Sequence, residues 1–197
     1  MARRRPGPSS PTVTRRSIHG AAASGWIALV LWTACSSPAT GPGATLAPGE
    51  SVSFSGTWSA SGTRQTLRLG PDRRASIVSL TGSLLLTGRR GLGIGFEAQV
   101  IGLADTQGGG QGRCVWTDDR GDQIFSELRG GPMGTGSSFV GTIVGGTGRY
   151  AGLTGEYRFT WQYMIDAEDG VISGRTVDLQ GRAQTPPAAG TGKSAAR

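Results

Sequence analysis

The sequence predicts an all-β protein, a closed antiparallel barrel of about eight strands, and three observations predict it. Apolar side chains recur at every second position in run after run, most plainly at Tyr157, Phe159, Trp161 and Tyr163. Turn signals rich in glycine and aspartate separate the runs at short, regular intervals. No segment of the expected mature chain carries a convincing helix. About nine short extended runs can be marked out, and that spacing favours closure over an open sheet, because closure leaves no exposed edge strand. The 35 glycines among 197 residues fit tight turns and strongly bent strands.

Taken in order, Val52, Phe54 and Trp58 alternate in a first run, which Ser61-Gly62 punctuates before a second at residues 63–69. Gly70-Pro71-Asp72 is a turn signal. Residues 76–87 carry the longest apolar run of the domain, and Gly82 with the β-branched content favours a strand there over a helix. Gly88-Arg89-Arg90-Gly91 turns the chain. Ile94, Phe96, Ala98 and Val100 then share one face, with Glu97 and Gln99 on the other. Residues 106–112 form a glycine loop. Two strands, 113–117 and 123–129, flank a compact hairpin turn at Asp118-Asp119-Arg120-Gly121-Asp122. A flexible connection at 130–136 leads into the central pair, where Phe139, Gly141 and Ile143 oppose Val140, Thr142 and Val144 across one strand. The aromatic strand follows, and a last strand begins at Val171.

Composition bounds the rest. A hydrophobic content of 36% supports one core and not two. The net charge of +7 lies outside the domain: between Glu50 and Ala183 there are 13 basic and 13 acidic residues. Arginine outnumbers lysine 19 to 1 and asparagine is absent, the mark of a GC-rich coding bias. With no basic stripe interleaved with aromatics, no nucleic-acid partner is expected. The single histidine, His19, precedes the domain, so neither a Ser-His-Asp triad nor a histidine-ligated metal is available to it.

The N-terminal residues read as an address. Arg15-Arg16 precedes an apolar stretch at 21–34, which is shorter than the roughly 20 residues that span a bilayer. The arginine pair resembles a twin-arginine signal, with Ile18-His19 in place of the usual Phe-Leu, and the export route stays open. Leu31-Trp32-Thr33-Ala34-Cys35 resembles the lipobox of bacterial lipoproteins, with Trp32 where leucine is preferred. That resemblance implies lipidation of Cys35, a membrane anchor, and a place in the cell envelope, at the outer membrane if the host has one. The alternative is an ordinary cleaved signal and a secreted product. Residues 36–49, rich in Pro, Gly, Ser and Ala, read as a flexible tether reaching roughly 20 Å. The barrel is expected over residues 50–183, and residues 184–197 read as a disordered tail.

Gly145-Gly146-Thr147-Gly148-Arg149-Tyr150-Ala151-Gly152-Leu153-Thr154-Gly155 resembles the glycine-rich turn shared by dirigent proteins and allene oxide cyclases. Tyr150 stands where that group has an aromatic, and Leu153 where it often has alanine. The resemblance implies an eight-stranded calycin-type barrel, usually with an apolar cavity and often trimeric, so a homo-oligomer is an expected partner. It implies no catalytic position: allene oxide cyclases hold a water with asparagine, and this chain has none. Apart from the resemblance, Gly145, Gly146, Gly148, Gly152 and Gly155 are a hairpin device that allows positive φ and close packing.

Among the side chains, Tyr157, Phe159, Trp161 and Tyr163 are the candidates for binding a small apolar ligand, since aromatics lining a barrel offer wide apolar contact with polar tips. The alternative is that they are core or a subunit interface. Glu97 is a weak catalytic candidate as a barrel-lining carboxylate, against the commoner solvated outward face. Cys114 is a weak nucleophile candidate, against a small buried hydrophobe, and no disulfide to Cys35 is expected. Asp118, Asp119 and Asp122 bring carboxylates together, but Asp-rich hairpin turns are ordinary, and no metal and no cofactor are expected. Glu127 and Arg129 fall on one face as a surface ion pair. Gly190-Thr191-Gly192-Lys193-Ser194 imitates the end of a phosphate loop but lacks its first glycine and a preceding strand.

Overall fold

The computed structural model describes residues 46–88, 92–132 and 134–188. Eight antiparallel strands, β1 (Ser51–Arg68), β2 (Arg74–Gly88), β3 (Gly95–Asp105), β4 (Gly109–Thr117), β5 (Gln123–Gly130), β6 (Ser137–Gly146), β7 (Thr154–Asp166) and β8 (Val171–Gln184), close into a barrel. Each strand pairs with the next, and β8 returns to pair with β1. One 3₁₀ turn, Gly148–Tyr150, lies between β6 and β7. Cys35, the segment read as an export signal, most of the segment read as a tether and the Gly190–Ser194 segment lie outside the described residues.

The period-two pattern translates directly into an inside and an outside. Val52, Phe54, Trp58 and Ala60 of β1, Val78, Leu80, Leu84 and Leu86 of β2, and Phe96, Ala98, Val100 and Ala104 of β3 are all buried. Their neighbours Ile77, Leu85, Ile101 and Leu103 point outward and are exposed. The apolar face is thus the inner one, the reverse of a porin-type barrel, whose apolar band faces lipid. Among the described residues no helix is long and apolar enough to cross a membrane.

Three expectations are corrected. Ser61-Gly62 does not break β1, which runs for 18 residues. Gly62 is there for closeness: a Cβ on it would collide with the Ser79 carbonyl oxygen, so only glycine lets β1 lie against β2 in this coil. Merging these two runs reduces nine to eight. The glycine loop shrinks to residues 106–108, because Gly110 and Gly112 are paired within β4. Ile94 precedes β3 and is exposed rather than inward.

The ordered domain is also slightly wider than its apolar pattern. Leu46 is buried and joins the core. The Gly49 N–H donates to the Pro186 carbonyl at 2.9 Å, and Thr185 to that of Glu50 at 3.1 Å, so chain beyond both expected limits is held at one end of the barrel.

One irregularity keeps β8 facing inward along its whole length. Ile172, Gly174 and Thr176 face the interior at even positions, whereas Leu179 and Ala183 do so at odd ones. The switch occurs at Asp178, whose φ of 55° makes it a left-handed residue at a break in register with both β1 and β7. The bulge leaves the Trp58 N–H without a ladder carbonyl, and the buried Thr176 hydroxyl accepts it at 2.8 Å. Asp178→Gly should raise stability by about 1 kcal/mol, because glycine adopts this conformation without the left-handed penalty. Thr176→Val should lower it by about 1–3 kcal/mol by orphaning a buried donor. Urea unfolding of both variants checks the pair.

Candidate functional site

The inner face of β7 carries the expected aromatic series. Tyr157, Phe159 and Trp161 are buried, and Tyr163 is half-buried and packs against the core. Phe159 stacks on Phe139 of β6 at 5.5 Å between ring centroids and on Tyr157 at 6.2 Å. Tyr157 leans on Trp116 of β4 at 4.9 Å. Trp161 meets Trp58 of β1 at 5.4 Å and Tyr163 edge-on at 5.8 Å. The Tyr157 ring lies where a side chain on Gly141 of β6 would be, so small residues on the neighbouring strands make room for large rings.

These rings nearly fill the barrel. A void of about 30 Å³ remains among Trp58, Leu80, Val100, Leu128, Phe139, Phe159 and Trp161, and one of about 10 Å³ lies beside Cys114, Trp116 and Tyr157. Neither the Trp58 nor the Trp161 indole N–H has a hydrogen-bond partner, although both rings wall the larger void. Two unpaired buried donors beside an apolar space are unusual, because each carries a desolvation cost.

The end of the barrel that carries the turns at 69–73, 106–108, 131–136 and 167–170 opens into a polar mouth of about 230 Å³. Arg64, Thr66, Arg74, Ser76, Asp105 and Asp166 line it, and Ala104 lines both the mouth and the larger void. Sequence reasoning missed these polar residues. The signal was there: Arg64 and Thr66 extend the even-numbered inner face of β1, and Arg74 and Ser76 that of β2. Two ion pairs organise the mouth. The Arg64 guanidinium donates to Asp166 at 3.1 Å, and Arg73 donates to Asp105 at 2.8 Å. The Arg73 guanidinium, helped by the Gln107 N–H, brings the Asp105 carboxyl down to about 2.

The remaining candidates are dispersed. Glu97 faces outward and accepts a hydrogen bond from Gln99 at 3.0 Å. Cys114 is a free, buried thiol that accepts a hydrogen bond from the Trp116 indole at 3.1 Å, and burial pushes it up to about 12. Glu127 pairs with Arg113 across the β4–β5 ladder at 3.0 Å, not with Arg129, because directly opposed residues lie closer than neighbours along a strand.

The aspartates belong to the opposite end. Asp118 accepts the N–H groups of Arg120 and Asp122 at 2.8 and 2.9 Å, and Arg149 of the glycine turn pairs with it at 2.6 Å. Burial alone would raise the Asp118 carboxyl, but these donors hold it below the usual range. Gly148 has φ 50° and sits so close to the Asp122 carboxylate that no side chain would fit. Gly145, Gly146, Gly152 and Gly155 complete a corner that joins β6, β7 and the 118–122 turn. Among the described residues no three histidine, cysteine, aspartate or glutamate side chains gather as metal ligands.

Two solution properties follow from these environments. A thiol raised to about 12 stays protonated, so a thiol reagent at pH 8 should label the Cys114 peptide only after unfolding, as read by peptide mass mapping. Both Asp105 and Asp118 are depressed in the folded state, so their stabilisation is complete above the unfolded value and is lost as pH falls through the folded one. The melting temperature should therefore drop between pH 3.8 and about 2, and less steeply in an Asp105→Asn/Asp118→Asn variant. Compared with protein-family models, with curated proteins and with solved structures, the chain matches none.

Proposed function

We propose that the chain is an exported lipoprotein of the cell envelope whose barrel binds a small apolar molecule, taken in through the mouth between β1, β2 and the 167–170 turn. One observation carries the binding reading: Ala104 is common to a polar mouth and an apolar void whose walls include two unpartnered indole donors. A concave apolar space with a few polar groups is the usual form of a small-molecule site. Export and anchorage rest on the arginine pair, the apolar stretch and the lipobox-like segment ending in Cys35. The likeness of the 145–155 turn to dirigent proteins and allene oxide cyclases supports a barrel that holds an apolar guest. A cofactor-free isomerase or cyclase has less support, since Glu97 points to solvent and no carboxylate lines either void.

The outer surface favours a second reading, assembly of like subunits. Ile77 lies directly opposite Leu103, Ile101 adjoins them, and all three are exposed. Contiguous apolar surface of this kind commonly marks an interface.

Native mass spectrometry of the full chain purified from its own host separates the readings. A small guest released on mild denaturation, with a lipid mass retained at Cys35, is the expected result. An empty protein running as a defined oligomer would replace binding with assembly.

A further inference from the structure

The charges of the mouth do not balance. Of the four charged residues lining it, Arg64 and Asp166 neutralise each other, and Asp105 is held by Arg73 from just outside. Arg74 is left. Its backbone N–H donates to the Thr106 hydroxyl at 3.1 Å, but its guanidinium has no carboxylate or hydrogen-bond partner among the described residues. Beside it, the Thr66 and Ser76 hydroxyls share one hydrogen bond of 2.8 Å, which leaves one hydroxyl proton free to donate. A guanidinium fork and a hydroxyl donor together suit a planar anionic head.

The dimensions limit the rest of the ligand. Beneath Ala104 the wall is Trp58, Phe139, Phe159 and Trp161, and the void of about 30 Å³ admits roughly one methyl- or water-sized group. A long alkyl chain has no room there. A short or aromatic tail that occupies the mouth and places only its tip in the void does. A cationic ligand would have to compete with Arg64 and Arg73 for carboxylates already engaged.

Building on the binding reading above, we infer that the mouth takes a small organic monocarboxylate, its head on the Arg74 guanidinium and its short or aromatic tail directed at Ala104. Arg74 is exposed at the start of β2, so replacing it leaves the core untouched. The test is calorimetric titration of the full chain with benzoate, with the neutral isostere benzamide and with laurate, on the native protein and on Arg74→Gln. Native chain should bind benzoate at least tenfold more tightly than benzamide. Arg74→Gln, with an unchanged melting temperature, should reduce benzoate to the benzamide level.

Equal affinity for benzoate and benzamide would overturn the anionic head while leaving small-molecule binding in place. Benzoate binding that survives Arg74→Gln would overturn the assignment to this mouth. Laurate binding tighter than benzoate would overturn the limit on the tail. Binding of none of the three overturns the ligand class, and the mass-spectrometric search for a guest then decides separately whether the barrel binds anything.

Discussion

The finite interior of an eight-stranded barrel is the constraint on which the structure depends. Once β8 pairs with β1, every inward side chain shares one enclosed volume, and a barrel of this strand number is just wide enough for side chains to fill it. Nine aromatic rings are buried in the barrel, so the space has to be relieved elsewhere. Relief comes as glycine opposite a ring, as at Gly141 beneath Tyr157, and as the Asp178 bulge, which turns Leu179 and Ala183 back toward the core. A β8 without that bulge would present Asp178 and Gln180 to the interior, where unpaired polar groups are costly.

The two ends of the barrel solve different problems. At one, the Asp118–Arg149 pair, the 3₁₀ turn and the returning Leu46 close the interior, with Tyr150 and Leu153 buried beneath them. The Arg149 guanidinium also lies 5.0 Å from the centre of the Tyr150 ring, so its charge is met on two sides. At the other end the inner faces of β1 and β2 turn from apolar to polar within the strands, which gives the mouth a polar lining above the rings. The candidate site lies at the open end because the polar part of the inner face is there.

Much of this fold was legible in the chain. Alternation separated the two faces of β6 and grouped the aromatic face of β7, and the turn signals located the hairpins at 70–72, 118–122 and 130–136. What alternation could not convey was register. Gly62 read as a break because a glycine needed for close approach and one needed for a turn are the same letter. The bulge at Asp178 was equally hidden, since aspartate is common in turns and nothing local distinguishes a bulge from a surface position. At the site, the aromatic half was visible because its four side chains lie on one strand. The polar half was not, because Arg64, Arg74, Asp105 and Asp166 come together only when β1, β2, β3 and β7 are curled into a barrel.

The pairing of β1 with β8 also bears on how the chain reaches this state. Val52 is matched with Ala183 and Thr63 with Val171, so contacts made by the first strand wait for nearly the last residue of the domain. Neighbouring strands lie close in sequence, but an incomplete meander leaves β1 and its latest strand as open edges, with one apolar face uncovered. Completion is therefore a late and collective event. Until the final strand closes the ring, a chain of this topology has two open edges to protect.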